Sequence, residues 1–113
     1  MFLLKFGADT MEKIAFKMHL KPGCKAEYKK RHDAIWPELK ALLNKEGISN
    51  YFIFLDEETN TLFATQELSG QSSQSLGQNS VVKRWWDYMA DIMEVNPDNS
   101  PITTTLEQVF YME

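Results

Sequence analysis

The segment Tyr51-Phe52-Ile53-Phe54-Leu55 is apolar at every position. Successive side chains of a strand point to opposite faces of a sheet, so a strand of this composition has two apolar faces to cover. The stretch from Ile48 to Leu55 is therefore predicted to be a strand that is buried on both sides. Either it lies in the centre of its sheet, or a second copy of the chain buries it.

A strand and two helices are predicted ahead of this segment. From Glu12 to Leu20, apolar and polar residues alternate as in a half-buried strand, which Lys21-Pro22-Gly23 ends in a turn. Residues Cys24 to His32 favour a helix, which should end before Pro37 because the residue that precedes a proline avoids helical backbone angles. Pro37 can then begin a second helix that ends at Gly47.

A hairpin, a third helix and a last strand are predicted after it. Asp56 to Asn60 is a polar turn, and Thr61 to Leu68 returns as the second strand of the hairpin. The polar stretch 69–80 is predicted to be a loop or a poor helix, and Ser80 to cap the next helix. Thr103 to Tyr111 has the composition of a strand. The third helix carries an apolar stripe at the i, i+3, i+4 spacing of a buried face: Val82, Trp85, Trp86, Met89, Ile92 and Met93.

This order of elements predicts a ferredoxin-like α+β fold, a four-stranded antiparallel sheet with helices on one face. Helices on one face leave the other face of the sheet open. Because the doubly apolar strand needs cover there, we expect two sheets to pack face to face in a homodimer of the dimeric α/β-barrel type.

Composition narrows the possible partners and compartments. A chain of 113 residues fits one domain, and 12 basic against 16 acidic residues give a net charge of −4, which argues against a nucleic-acid partner. Cys24 is the single cysteine, so no internal disulfide can form and a reducing cytoplasm is expected. No apolar run is long enough for a signal peptide or a membrane span, so no membrane partner is expected.

His32 is the best acid/base candidate, because an imidazole exchanges protons near neutral pH. It follows Tyr28 by four helical positions, so the two side chains share one face of the helix. The alternative is a structural or surface histidine, with Lys29, Lys30 and Arg31 forming a solvated basic face. We interpret His19, on the polar face of the first strand, as exposed and non-catalytic.

Other chemistry has little support in the sequence. The two histidines lie too far apart for a metal cluster, Cys24 lacks an identifiable base, and no glycine-rich phosphate loop is present, so no cofactor and no metal are expected. Trp85 and Trp86 point about 100° apart on their helix, so one is expected in the core and the other at the edge of a cleft. Trp36 and Tyr51 fit either the core or such a cleft.

Several motifs together resemble the L-rhamnose mutarotase family. They are YKKRHDAIWPEL from Tyr28, Asn50-Tyr51, Leu55-Asp56, RWWDYM from Arg84, and NPDNSP from Asn96. The resemblance implies a small dimeric ferredoxin-like protein that interconverts the α and β anomers of L-rhamnose without a cofactor. It also implies that His32 is the acid/base residue and that four aromatic residues hold the sugar: Tyr28, Tyr51, Trp85 and Trp86.

The similarity runs from about Met11 to Tyr111, which divides the chain. Residues 1–10 are predicted to be a dispensable extension, and residues 11–113 a single mutarotase-like domain. Lys30 stands where the family often has a second arginine, and the 69–77 stretch is less helical than is usual. The same fold can host other functions, so two alternatives remain open. One is a haem-handling or monooxygenase-like protein with His32 as haem ligand, and the other is a non-catalytic sugar-binding module.

Overall fold

The computed structural model describes residues 11–113. Four strands and three α-helices form one α+β unit. The strands are β1 (Glu12–His19), β2 (Ile48–Asp56), β3 (Thr61–Leu68) and β4 (Thr104–Leu106). The helices are α1 (Lys25–Asp33), α2 (Pro37–Lys45) and α3 (Ser80–Met89), and a short 3-10 helix spans Ser73–Ser75.

The sheet has the order β2-β3-β1-β4, and each neighbouring pair is antiparallel. This is the ferredoxin-like arrangement that the element order predicts. The core lies between one face of the sheet and the helices. Its largest contributors from the strands are Phe16, Met18, Ile48, Leu62 and Leu68, all nearly inaccessible to solvent.

The break between α1 and α2 is confirmed. Helix α1 ends at Asp33, and α2 begins with Pro37 in its first turn, preceded by Trp36 in extended backbone. Helix α3 differs from the prediction at both ends. It ends at Met89, so Ile92 and Met93 of the predicted stripe are buried beyond its last residue. Its N-cap is Asn79, whose side-chain oxygen accepts a hydrogen bond from the Val81 N–H at 2.8 Å, and Ser80 is the first helical residue. An Asn cap serves this purpose as well as serine.

Strand β2 lies at the edge of the sheet, so the first of the two predicted alternatives, a central strand, is wrong. Its residues nevertheless alternate as expected. Tyr51, Ile53 and Leu55 are half-buried against the core, whereas Phe52 and Phe54 are 52% and 62% exposed on the opposite face. The two-sided apolar pattern therefore reflects a sheet with an aromatic outer face, which the single chain leaves uncovered.

The last strand is much shorter than predicted. It covers Thr104–Leu106 instead of Thr103 to Tyr111, and residues 107–113 have no regular structure. Leu106 pairs with Ala15, and the residues after Leu106 do not continue this pairing along the first three residues of β1. The segment Val109 to Met112 is consequently exposed, each side chain by more than 70%.

Candidate active site

Helix α1 presents Tyr28 and His32 to the core side of the sheet. Their four-residue spacing places the rings one above the other, with centroids 4.3 Å apart and planes inclined by 26°. Tyr28 is buried and His32 half-buried. The shared helical face that the sequence predicts is therefore confirmed.

The imidazole of His32 is held in one tautomer. Its Nδ1 lies 3.1 Å from the carbonyl oxygen of Tyr28. Because a carbonyl oxygen only accepts hydrogen bonds, Nδ1 carries the proton and Nε2 is the free acceptor. Burial lowers the pKa of His32 below its ordinary value of 6.5, although the Tyr28 carbonyl and Asp33 partly oppose this shift. The ring is therefore neutral at physiological pH.

Helix α3 supplies an indole on the other side of the imidazole. Trp85 meets His32 edge to face, with centroids 5.4 Å apart, and meets Trp36 in the same way at 5.1 Å. Tyr88 stacks on Trp36 at 5.6 Å. These contacts fix the rotamer of Trp85 and limit the movement of the catalytic candidate.

Both tryptophans of the Trp85-Trp86 pair are buried, at 8% and 7% exposure, so at least one packs in the core as predicted, and the second is not left at the edge of the core. Trp85 points toward α1, and Trp86 packs beneath Gly77. A Cβ added at Gly77 would lie 2.7 Å from Cζ3 of Trp86, so the absence of a side chain there makes space for the second indole.

A β-bulge brings Tyr51 to the same side of the sheet. Ser49 pairs with Glu67 and Phe52 with Thr65, so Asn50 and Tyr51 together oppose the single residue Gln66. Asn50 is the residue with a left-handed backbone, at φ 46°, and its side-chain amide donates to Glu67 at 3.0 Å. Asparagine tolerates this conformation better than most residues. Tyr51 thus faces the helices, beside Gln66.

The two tyrosine hydroxyls remain protonated over the physiological pH range. Burial raises the pKa of Tyr28 above its ordinary value of 10.0, and the neighbouring Tyr51 adds to that effect. Burial also raises the pKa of Tyr51, although hydrogen bonds with the side chains of Ser73 and Gln66 lower it in part. These hydroxyls are suited to hydrogen bonding, and His32 alone is suited to proton exchange near neutral pH.

A cavity of about 730 Å³ opens at this place, a volume typical of small-molecule sites. All five site residues that the family resemblance implies line it: Tyr28, His32, Tyr51, Trp85 and Trp86. Trp36 does not line it. His19 is half-buried and lies outside the lining. Apolar side chains from the core, among them Met18, Met89 and Met93, complete the walls.

Sequence reasoning missed several polar residues that line the cavity. Lys25 comes from the start of α1, Ser73 and Gln74 from the 3-10 helix, and Asn99 from the loop after α3. The polar stretch around Ser73 has no periodicity, so no pattern in the sequence indicates which of its residues face inward. The turn composition around Asn99 predicts a loop but not its orientation.

Arg31 forms a bridge between the two helices of the site. Its Nε lies 2.7 Å from Glu27, and its terminal nitrogens contact Asp91 at 2.8 and 3.3 Å. One of them also donates to the Tyr88 carbonyl at 2.7 Å, and the guanidinium covers the Tyr88 ring. With only 11% of its side chain exposed, Arg31 does not belong to a solvated basic face.

The part of the chain that the structure describes holds no group of three or more His, Cys, Asp or Glu side chains arranged for a metal ion. Within the same residues, every helix is too short or too polar to cross a bilayer.

Fold and cavity together define a ferredoxin-like α+β protein with an aromatic cavity beside a neutral histidine. The model of the L-rhamnose mutarotase family matches residues 13–112. An L-rhamnose mutarotase of Formosa agariphila is 64% identical over 104 residues, 91% of this chain and 100% of that protein. One of Bacteroides thetaiotaomicron is 62% identical, with the same coverage. This chain belongs to the L-rhamnose mutarotase family.

Solved structures agree with this assignment. The crystal structure of the L-rhamnose mutarotase from Formosa agariphila superposes with a TM-score of 0.85 and 62% identity, covering 90% of this chain and 99% of that one. A conserved protein from Methanosarcina mazei, only 14% identical, shares the fold with a TM-score of 0.59. The ferredoxin-like fold predicted from the sequence is therefore confirmed.

Proposed function

We propose that this protein is an isomerase that interconverts the α and β anomers of L-rhamnose. Its membership of the family supports this function, and one observation in the structure carries it. A neutral imidazole with a free Nε2 lies in an aromatic cavity large enough for a monosaccharide. Proton transfer between two oxygen atoms that are bonded to the same carbon requires little more.

His32 serves as the acid/base residue in this proposal. Nε2 takes the proton of the anomeric hydroxyl and delivers it to the ring oxygen, while the bond between C1 and the ring oxygen breaks and C1 becomes an aldehyde. Both oxygens are bonded to C1, so a single nitrogen can reach each of them. Rotation about the C1–C2 bond followed by the reverse steps closes the ring as the other anomer.

Four aromatic residues hold the sugar in this proposal. Trp85 and Trp86 offer apolar surfaces for the C–H faces and the methyl group of a 6-deoxy sugar. Tyr28 and Tyr51 offer protonated hydroxyls for its oxygens. Because His32 stacks on Tyr28 and touches Trp85, sugar contacts and proton transfer are concentrated in one place.

We further propose that the active protein is a homodimer whose sheets pack face to face. Phe52 and Phe54 stack on the outer face with centroids 6.2 Å apart, and Phe63 lies opposite Phe54 on the neighbouring strand. These rings form an apolar surface that one chain leaves open, and the apolar segment Val109 to Met112 is exposed as well. Surfaces of this kind usually mark an interface.

A cytoplasmic location is part of the same proposal. The chain has one cysteine, so no disulfide can form within it. Cell fractionation with an antibody against the protein would test this location directly.

Anomer exchange of L-rhamnose, followed by NMR saturation transfer, tests the activity. The protein should raise the exchange rate well above that of the buffer in proportion to its concentration. If it binds L-rhamnose while exchange stays at the buffer rate, the alternative of a sugar-binding module is correct. If neither occurs and added haem gives a Soret band that His32→Asn abolishes, the haem-handling alternative replaces both.

A further inference from the structure

The loop after α3 carries the NPDNSP motif, from Asn96 to Pro101, and the proposed function gives this motif no role. Hydrogen bonds within the loop define its shape. The Asn96 N–H donates to the Ser100 carbonyl and the Asn99 N–H to the Asn96 carbonyl, both at 2.8 Å. The Asp98 carboxylate accepts from the Ser100 N–H at 3.0 Å. The backbone path of the loop is therefore held by the residues of the motif itself.

Helix α3 holds this loop at two points. Lys83 donates from Nζ to the Asp98 carbonyl oxygen at 3.0 Å, and the side-chain nitrogen of Asn99 donates to Oδ1 of Asp87 at 3.1 Å. Lys83 and Asp87 lie one helical turn apart and form an ion pair at 3.5 Å. The same helix carries both tryptophans of the site, so it also sets where the loop lies relative to the cavity.

Two residues of the motif reach the cavity. Pro101 is buried and Asn99 is half-buried, and both line the cavity wall. The ring of proline is apolar, so Asn99 is the polar side chain that the loop brings to the site. Asn99 has a left-handed backbone, at φ 68°, which asparagine tolerates and glycine adopts more easily. The backbone thus accounts for a small residue here, but not for the orientation of the amide.

Asp87 sets that orientation. A carboxylate oxygen accepts hydrogen bonds, so the Asn99 atom that faces Asp87 is the nitrogen. Asp87 is exposed and lies outside the cavity lining. The nitrogen is therefore directed away from the cavity, which leaves the Asn99 oxygen, at the other end of the amide, on the cavity side. Among residues 11–113, no donor lies within hydrogen-bond distance of this oxygen.

We propose that Asn99 is a specificity-determining residue whose side-chain oxygen accepts a hydrogen bond from a hydroxyl of the sugar, and that Asp87 is the positioning residue that orients it. This inference rests on the proposed function, because the donor is L-rhamnose. His32 acts on the anomeric hydroxyl, so Asn99 binds one of the hydroxyls at C2, C3 or C4. An oriented amide oxygen cannot donate, so it selects sugars that present an O–H at that place.

Analogues of L-rhamnose that each lack the hydroxyl at C2, C3 or C4 test this contact. Asn99→Gly keeps the left-handed backbone and removes the amide. It should raise the dissociation constant of L-rhamnose by about 3–10-fold, the usual weight of one hydrogen bond. Two of the analogues should show the same loss. The third, which lacks the contacted hydroxyl, should bind the wild type and Asn99→Gly equally.

Asp87→Ala tests the positioning role, and alanine is well tolerated at an exposed helical position. Without Asp87, the Asn99 amide must lose its rotational freedom when the sugar binds, so the dissociation constant should rise by about 2–5-fold. KM should rise with it while kcat stays unchanged, because the contact exists before and during the reaction. In the Asn99→Gly background, Asp87→Ala should cause no further loss.

Glu94→Ala is the matched control. Glu94 is an exposed carboxylate shortly before the motif and lies outside the cavity lining, so this variant removes the same charge as Asp87→Ala. It should bind L-rhamnose and all three analogues as the wild type does.

The outcomes separate this inference from the proposed function. Equal losses in Asn99→Gly for all three analogues, or an unchanged dissociation constant for L-rhamnose, would overturn the inference and leave Asn99 as a residue that shapes the loop. An unchanged dissociation constant in Asp87→Ala would overturn the positioning role. If the wild type binds L-rhamnose without accelerating exchange, the proposed function fails, and the same dissociation constants still decide the contact. If the wild type does not bind L-rhamnose, both proposals are wrong.

Discussion

His32 and Tyr28 are joined twice, through stacked rings 4.3 Å apart and through a 3.1 Å hydrogen bond from the imidazole Nδ1 to the Tyr28 carbonyl oxygen. The backbone of one residue and its side chain thus hold the other in a single orientation. Nε2 is left as the only nitrogen that can exchange protons with a ligand. The first two predictions depend on this arrangement.

Replacing His32 by asparagine should remove proton exchange and keep the fold. We expect anomer exchange at saturating L-rhamnose to fall by about 10²–10⁴-fold, the usual weight of a positioned acid/base group, while the dissociation constant changes only a few-fold. NMR saturation transfer measures the rate. His19→Asn is the control, because His19 lies outside the cavity lining, and it should behave as the wild type. An equally fast His32→Asn enzyme would exclude His32 as the catalytic residue.

The pH profile should show the lowered pKa of His32. Since the neutral ring is the base, kcat/KM should stay high below pH 6.5 and decline only as the pH falls through the lower pKa of the folded protein.

The free energy of unfolding should depend on pH in the same direction and fall at low pH. As the pH falls, the unfolded chain binds a proton at His32 before the folded protein does. The stability that this difference in pKa contributes is therefore complete above about pH 6.5 and is lost below it. Urea titrations of wild type and His32→Asn across pH 4.5–7.5, roughly the range around the imidazole pKa, should differ in this slope.

Arg31→Ala should destabilise the protein through loss of the bridge between α1 and the end of α3. Hydrogen bonds to charged groups contribute about 1.5–3 kcal/mol, and Arg31 is largely buried, so we expect a loss of about 2 kcal/mol in the free energy of unfolding. The control is Lys29→Ala, whose exposed ion pair with Asp33 should contribute at most about 0.5 kcal/mol. Equal losses in the two variants would contradict a special role for Arg31.

Phe52→Lys should weaken the proposed dimer. A charge on the outer face of β2 cannot be buried against a second sheet without a large desolvation cost. Light scattering at micromolar concentration should return about twice the chain mass of 13.1 kDa for the wild type and a smaller mass for the variant. Ile102→Lys places the same charge at an exposed apolar position outside the strands and should stay dimeric. A monomeric wild type would refute the dimer.

A chain that begins at Met11 should keep its activity and its oligomeric state. Residues 1–10 lie outside the described residues, and the relatives from Formosa agariphila and Bacteroides thetaiotaomicron are each matched in full by 104 residues of this chain. Exchange rate and scattering mass of the shortened protein are the measurements. Loss of either would show that the extension contributes to the domain.

Local chemistry made most of the fold predictable. The alternation in β1, the Pro37 that separates α1 from α2, and the stripe on α3 each follow from a rule that acts within a few residues. The pairing of Tyr28 with His32 follows for the same reason, since helical spacing alone places them together.

Features set by distant parts of the chain could not be predicted. The length of β4 depends on how far it pairs with β1, and the burial of Trp86 depends on the missing side chain of Gly77. From its sequence position, Gln66 is indistinguishable from a polar residue on the exposed face of a strand. Its burial depends on hydrogen bonds with Ser73, which a local pattern does not indicate. The family resemblance supplied Tyr51 as a site residue, but not the bulge that turns it inward.

The extra residue at Asn50 shifts the alternation of side chains along β2 by one position. Ile48 before the bulge and Tyr51 after it both face the helices, although an odd number of positions separates them. Deleting Asn50 would leave these two residues two positions apart, and strict alternation would then keep both on the inner face. A chain of this fold can therefore lose the bulge without turning any other side chain of β2 to the opposite face, and the part of the cavity that it would lose is Asn50, one of the residues that line it.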